Sequence, residues 1–270
     1  MKDKRVLYVS SEVLPYLPET EMSSMSFEAA KKAHHKGVQT RIFMPRYGVI
    51  NERRYQLHEV IRLSGMNLIV NDMDMPLIIK VASIPKERMQ VYFIDNEEYF
   101  KRKATVKDEN SKLFSDNDER AIFFAKGVIE TVKKLNWAPD IIHVHGWMAS
   151  LLPLYLKEYY KDDPLFAESK IVTSLYSSSD FEGALNSELI DKVKFDNISE
   201  EKAEILKVPN HTNILKSAIQ NSDGIIQASE DISNELTDFI KKQNKPSLEF
   251  LPEEAYPDAY LEFYSNEVLN

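Results

Sequence analysis

Apolar positions in this chain fall in short unbroken runs, separated by longer stretches in which they recur every three or four residues. Residues 5–9 form such a run and end in Ser10-Ser11-Glu12, which predicts a parallel strand buried on both faces. After a loop marked by Pro15 and Pro18, Met22, Met25, Ala29, Ala30 and Ala33 recur at helical spacing, and Gly37 closes that helix. Residues 40–44 read as a second strand stopped by Pro45, so the opening of the chain is a β-α-β unit.

The pattern changes over residues 55–95. Residues 56–63, 68–71, 76–84 and 90–94 are short strand-like runs with turn residues between them, read as a small β-meander inserted on the α/β core. Residues 96–117 are polar and predict a surface loop. Residues 118–135 return to helix, with Ile122, Ala125, Ile129, Val132 and Leu135 in one apolar stripe and Asp116 with Glu119 placed as a capping pair. Strands at 140–144, 171–175 and 224–228 then alternate with helices at 149–160, 212–219 and 232–242. The alternation predicts a Rossmann-like, doubly wound, mainly parallel α/β sheet with right-handed crossovers. No internal repeat is seen. The expected domain runs from 1 to 245, and residues 246–270 form an acidic aromatic tail.

Composition narrows the function. The chain has 7 glycines in 270 residues, never two together, where average usage near 7% would give roughly 19. A phosphate-cradling loop needs several glycines within a few residues, so standard dinucleotide-binding enzymes and P-loop NTPases are excluded. Net charge is -9, which makes nucleic acid an unexpected partner. Without cysteine there is no disulfide, thiolate metal site or cysteine nucleophile. The first apolar run is too short for a signal-peptide core, and none approaches the ~20 residues that span a bilayer, so a cytoplasmic location away from membranes is expected. Beyond Lys245 there is no Lys or Arg, but six carboxylates and Phe250, Tyr256, Tyr260, Phe263 and Tyr264. That tail is too aromatic for plain disorder, and either packs back on the domain or docks on a partner.

Ligands of such sheets bind beyond the C-terminal ends of the strands. His143 and His145 sit at one strand end and share a face, since side chains alternate. Lacking a third ligand, they predict a structural pair facing the crevice and no metal. Trp147 follows beside Gly146, as a core anchor or a stacking platform for a sugar. Ser177-Ser178-Ser179-Asp180 has the residue types of a hydrolase but not the nucleophile turn, and reads as a loop. Glu12 and Asp180 have acid–base character with nothing to fix their separation. His34-His35 at a helix C-terminus complements the dipole there.

These segments, taken in order, resemble a known family. Val9-Ser10-Ser11-Glu12-Val13-Leu14-Pro15-Tyr16, the helix to Gly37, and Arg41-Ile42-Phe43-Met44-Pro45-Arg46-Tyr47-Gly48 are similar to the opening of bacterial glycogen synthases and plant starch synthases. Residues 140–149, Asp-Ile-Ile-His-Val-His-Gly-Trp-Met-Ala, resemble the family's D-(V/I)-(V/I)-H-x-H-D-W-H-(A/T) segment. Residues 170–173 match the strand leading to T-I-H-N, and residues 221–229 the strand ending in V-S. The resemblance covers about residues 4 to 240. It implies one half, the N-terminal acceptor side, of a GT-B glycosyltransferase. The family transfers glucose from ADP-glucose to the non-reducing end of an α-1,4-glucan, with retention, without a metal and with no other cofactor.

The departures fall on the ligand-contacting positions. The family's K-T-G-G-L, which meets the donor diphosphate, becomes Pro18-Glu19-Thr20-Glu21-Met22, and a family acidic residue further along that helix becomes Ser24. H-D-W-H becomes His145-Gly146-Trp147-Met148, so the family's sugar-site histidine is Met148 and no catalytic residue is assigned. T-I-H-N becomes Thr173-Ser174-Leu175-Tyr176. The substrate-binding residues that remain are Glu12, Tyr16, His143, His145 and Trp147. The resulting expectation is a degenerate glycogen/starch synthase-like domain, inactive as an isolated chain, that retains binding of α-glucan or another carbohydrate, or of a protein partner or second copy. Two alternatives stand beside it: a functional acceptor-side subunit completed by a separate donor-binding chain, and a non-catalytic scaffold that uses its tail.

Overall fold

The computed structural model describes residues 1–177, 181 and 183–270. Ser178, Ser179 and Asp180, with the hydrolase-like reading of that loop and the Glu12–Asp180 pairing, lie outside the described residues.

The apolar runs become strands and the periodic stretches become helices. Strand β1 (Arg5–Ser10) is buried from position 6 onward. Helix α1 (Glu21–His35) starts at Thr20 with a reciprocal capping box: the Thr20 hydroxyl accepts from the Ser23 amide at 3.0 Å, and the Ser23 hydroxyl accepts from the Thr20 amide at 2.8 Å. It buries the predicted stripe of Met25, Ala29, Ala30 and Ala33, and β2 (Gln39–Pro45) returns parallel to β1. Next come α2 (Glu52–Tyr55), β3 (His58–Glu59), β4 (Met66–Val70), β5 (Met73–Ser83), β6 (Gln90–Asp95), α3 (Glu97–Phe100) and α4 (Asn117–Lys134). The second half comprises β7 (Ile141–His145), α5 (Leu152–Glu158), β8 (Lys170–Leu175), α6 (Leu189–Phe195), α7 (Glu200–Ala203) and α8 (His211–Gln220). It closes with β9 (Gly224–Gln227), α9 (Asn234–Gln243), β10 (Ser247–Leu248) and α10 (Tyr256–Phe263).

Among the described residues the strands join in the order β10-β9-β8-β7-β1-β2-β6-β5-β3, with β4 paired to β5. All pairs from β10 to β6 are parallel, and those made by β5 are antiparallel. Chain order therefore reverses at β1, between β2 on one side and β7 on the other, which is where α/β sheets open a ligand crevice. No helix among the described residues is long and apolar enough to cross a membrane.

Three local expectations need correction. Residues 90–94 do not belong to an insertion. As β6 they pair parallel with β2, and Val91, Phe93 and Ile94 are fully buried, so the run is a strand of the main sheet buried on both faces. Of residues 56–63 only His58–Glu59 is strand, because the chain turns at once and leaves Ile61 76% exposed. The surface loop at 96–117 carries α3, capped by the Asn96 carboxamide, with Tyr99 and Phe100 buried.

Helix α4 also exceeds its single stripe: it is buried on nearly all sides, charged residues included. Each buried charge is paired or hydrogen-bonded, as burial demands. The Lys126 ammonium lies 2.6 Å from the Asp196 carboxylate, and that of Lys192 lies 2.6 Å from Asp118. Asp116 makes no capping bond to α4 and takes the Arg102 guanidinium instead.

The C-terminal aromatic residues pack back on this domain. α10 lies against α1, tied at its exposed edge by Lys32 to Asp258 at 2.8 Å. A π-helical turn (Tyr264–Val268) follows, and both segments sit over β9 at Gly224. A side chain there would meet Val268 at 2.9 Å and Phe263 at 3.1 Å, so the glycine seats the tail. Beneath it, the Tyr264 hydroxyl lies 2.6 Å from His143 Nδ1, and His143 Nε2 lies 2.8 Å from the Ser174 hydroxyl.

Two stability predictions arise from this buried polar layer. Tyr264→Phe leaves His143 Nδ1 without its partner in a buried site, and is expected to lower unfolding free energy by about 1–3 kcal/mol in urea titration. A change within error would show that the hydroxyl does not anchor the tail. Burial also holds both imidazoles neutral: His145 is pushed down to about 3, and His143 well below the usual value by burial and by His145 beside it. Above pH ~6.5 folded and unfolded chains both carry neutral rings, and below it only the unfolded chain gains the protons. Stability should therefore fall as pH drops from ~6.5, by about 2 kcal/mol per histidine at pH 5. His145→Gln should flatten the profile by one such increment, read as the difference in urea midpoint between pH 7 and pH 5.

Candidate functional site

β1, β7 and β8 run in the same direction, so their C-terminal continuations Ser11-Glu12, Gly146-Trp147 and Tyr176-Ser177 converge with the start of α1. They bound a cleft of about 270 Å³ at the switch point. Thr105 and Val106 form another wall, although they lie in the segment read as a surface loop. Buried polar groups of α4 hold them there. Arg120 Nη2 donates to the Thr105 carbonyl at 2.7 Å, Asn117 Nδ2 donates to the Val106 carbonyl at 2.8 Å, and Arg120 Nη1 donates to Asn117 Oδ1 at 2.6 Å. Burial pushes the Arg120 guanidinium down to about 10, so it remains a cation at neutral pH. It lies under the ring of Tyr47, a further cleft residue, at 5.7 Å. Burial raises the Tyr47 hydroxyl, Arg120 opposes that shift and Glu12 adds to it.

The residues singled out in the sequence divide into two groups. Glu12 and Trp147 line the cleft. The Glu12 carboxylate accepts from the Thr20 hydroxyl at 2.7 Å, and Trp147 meets Phe181 edge to face at 4.9 Å, so it is core anchor and cleft wall together. Tyr16, His143 and His145 are instead buried away from it. Tyr16 is wedged between Phe93 at 4.9 Å and Tyr55 at 5.0 Å. The two histidine rings do share a face, 3.9 Å apart, but it is the face covered by the tail. His145 Nδ1 lies 2.7 Å from the Tyr176 hydroxyl, and Ser174 and Tyr264 engage both nitrogens of His143. Position at a strand end suggested the crevice, and alternation together with the tail turned both rings into core. Met148, where the family has histidine, is fully buried as well. No group of three or more His, Asp or Glu is gathered in metal-binding geometry among the described residues.

The start of α1 carries the electrostatic character of the site. A free helix N-terminus attracts anions through unpaired amides and its dipole. Here the Ser23 amide is taken by the Thr20 hydroxyl, and Glu21 sits in the first turn. Glu21 accepts from the Ser229 hydroxyl, which also accepts from the Ser177 amide at 3.1 Å. Gly146 is locked across from it. Its φ is +81°, and a side chain would begin 2.5 Å from the Met22 sulfur and 2.6 Å from the Ser11 hydroxyl. The cleft thus presents carboxylates and hydroxyls, with largely buried aromatic rings packed in its wall, a lining able to hydrogen-bond a saccharide.

A family model described as the starch synthase catalytic domain matches residues 5–245. A glycogen synthase from Chlorobium luteolum is 34% identical over 230 residues, 85% of this chain and 46% of its own. One from Chlorobium limicola is 34% identical over 233 residues, 86% of this chain and 47% of its own. In three dimensions the chain is similar to the catalytic domain of starch synthase IV from Arabidopsis thaliana bound to ADP and acarbose. The TM-score is 0.75 at 14% identity, covering 93% of this chain and 52% of that one. The likeness extends the mainly parallel α/β architecture to that of a GT-B half, and the chain spans about half the length of the curated relatives it matches. With the sequence match running through nearly every strand and helix that builds the cleft, the chain belongs to the family of starch synthase catalytic domains.

Proposed function

We propose that this chain is a glycogen/starch synthase-like domain that binds a saccharide in the switch-point cleft and does not, by itself, transfer glucose from ADP-glucose. One observation carries the reading: the start of α1, where the family's K-T-G-G-L meets the donor diphosphate, is filled by the chain's own cap and carboxylates. A carboxylate held about 4 Å from a phosphate oxygen costs about 4 kcal/mol at an effective dielectric of 20, and Glu12 and Glu21 both border the cleft. The burial of Met148 supports the same reading, since a thioether in the core neither orients a sugar hydroxyl nor carries a proton. Beside these carboxylates the cleft wall holds Trp147 and Tyr176, both largely buried, and the hydroxyl and carboxylate oxygens that can bond a sugar.

Purified chain incubated with labelled ADP-glucose and glycogen is expected to incorporate no label above background, and incorporation would overturn the reading. Maltotriose at 100 times its Kd should stabilise the chain by about 2.7 kcal/mol, a rise in Tm of roughly 5 °C, whereas ADP-glucose should leave Tm unchanged. In a second reading the cleft is the acceptor side of an enzyme completed by a donor-binding partner, favoured by Glu12 and Trp147 standing in its wall. Transferase activity would then appear only in a co-purified complex.

Reinstating the family aspartate alone is expected to fail. Gly146→Asp forces a side chain against Met22 and Ser11 from a left-handed backbone, and should cost at least about 2 kcal/mol in urea unfolding without producing transfer. The double change Met22→Ala, Gly146→Asp should recover part of that loss.

A further inference from the structure

The pole of the sheet opposite the cleft holds another cavity. It encloses about 390 Å³ where β2 and β6 begin and α1 ends, and its lining includes His34, Arg41, Arg88, Gln90 and Trp137. Among the described residues no aspartate or glutamate lines it. Its charge is therefore the reverse of the cleft's, which Glu12 and Glu21 border.

Arg41 is built into this cavity. Its guanidinium packs on two buried rings, 5.0 Å from the centre of Trp137 and 5.4 Å from that of Tyr92. Nη1 donates to the Tyr92 hydroxyl, which donates in turn to Gln90 Oε1 at 3.0 Å. That is the one hydrogen bond its five N–H groups make among the described residues, and no carboxylate pairs with it. The side chain is thus oriented without being neutralised. Arg88 has no side-chain partner among the described residues either, although Asp and Glu outnumber Lys and Arg by 43 to 34. Glu87 beside it pairs with His35 at 2.7 Å instead.

Capping does not account for these cations. The Ala33 and His34 carbonyls at the end of α1 are met by the amides of Lys36 at 3.1 Å, Gly37 at 3.0 Å and Val38 at 3.0 Å. Nor does the turn between β5 and β6 call for an arginine. Arg88 has a φ of +58°, a left-handed conformation that glycine adopts freely and a longer side chain does not.

We propose that this cavity binds phosphate, either free or as the phosphoryl group of a phosphomonoester. Arginine's planar fork matches phosphate oxygens, and two cations with no carboxylate between them suit a dianion better than a single charge. Arg41 supplies donors held in place by its two rings, and Arg88 adds the second charge from the turn. The site lies at the far end of β2 from the cleft and is independent of the saccharide-binding reading.

Isothermal titration at pH about 7.5, where a phosphomonoester is close to dianionic, tests the proposal with inorganic phosphate, glycerol 2-phosphate and acetate. One phosphate is expected to bind per chain with a Kd of about 1 mM or tighter, and acetate about tenfold more weakly or not at all. Tighter binding of the ester assigns the site to a phosphorylated metabolite, and equal or weaker binding of the ester assigns it to free phosphate. Arg41→Gln and Arg88→Gly, each verified as folded by circular dichroism, should each weaken phosphate binding about tenfold. Arg88→Gly should do so without lowering the urea midpoint in phosphate-free buffer, since glycine takes the left-handed φ without strain. Absence of saturable phosphate binding below about 10 mM, acetate binding as tight as phosphate, or affinity unchanged in both variants overturns the proposal.

Discussion

The parallel pairing of β1 with β7, in the register that sets Ser10 opposite His145, is the constraint from which the rest of the molecule takes its position. It joins two halves of the sheet that wind in opposite directions. It therefore leaves the continuations of both strands with no crossover above them, and a cleft opens there. The same register fixes which side chains lie beneath the cleft. Ser11 Oγ and the Ser11 amide both reach the His145 carbonyl, which holds the floor flat and brings Gly146 under Met22. His143 and His145 are delivered to the opposite face, where the aromatic tail closes over them. A one-residue slip would exchange these faces, so register decides which groups meet a ligand and which become core.

Much of this was legible in the sequence, and the failures have physical causes. Long periodic helices and unbroken apolar strands were readable because each solves its burial problem locally. β6 was readable in principle: Val91-Tyr92-Phe93-Ile94 has no alternation, the mark of a strand covered on both faces, but its neighbours 76–84 suggested a meander. The partner of Asp116 was not readable, since a capping pattern and a long-range ion pair use the same carboxylate, and Arg102 takes it. In the site, Glu12 and Trp147 were legible from their strand ends. Thr105 and Val106 were not, because their place depends on Arg120 and Asn117 reaching across from α4, contacts with no local signature. The burial of His143 depends on Tyr264, 121 residues away.

The charged groups inside the fold have partners, while the motif residues at the strand ends depart from the family pattern. α4 is a case in point. Lys126 with Asp196, Lys192 with Asp118, and Arg120 with Asn117 are three polar contacts of 2.6 Å that serve packing, since breaking a buried pair leaves an uncompensated charge. Over the same helix the cleft wall is held in place by Arg120 and Asn117. A core of this kind positions the rim whatever chemistry the rim carries.

The positive φ of Gly146 decides how the floor of the cleft can vary. A side chain there would begin 2.5 Å from the Met22 sulfur, the movable end of a flexible chain, and 2.6 Å from the shorter Ser11 hydroxyl. The sulfur can give way, whereas the left-handed backbone at +81° penalises any residue but glycine. The floor is therefore set by backbone conformation, and variation is freer at the rim, where side chains meet solvent.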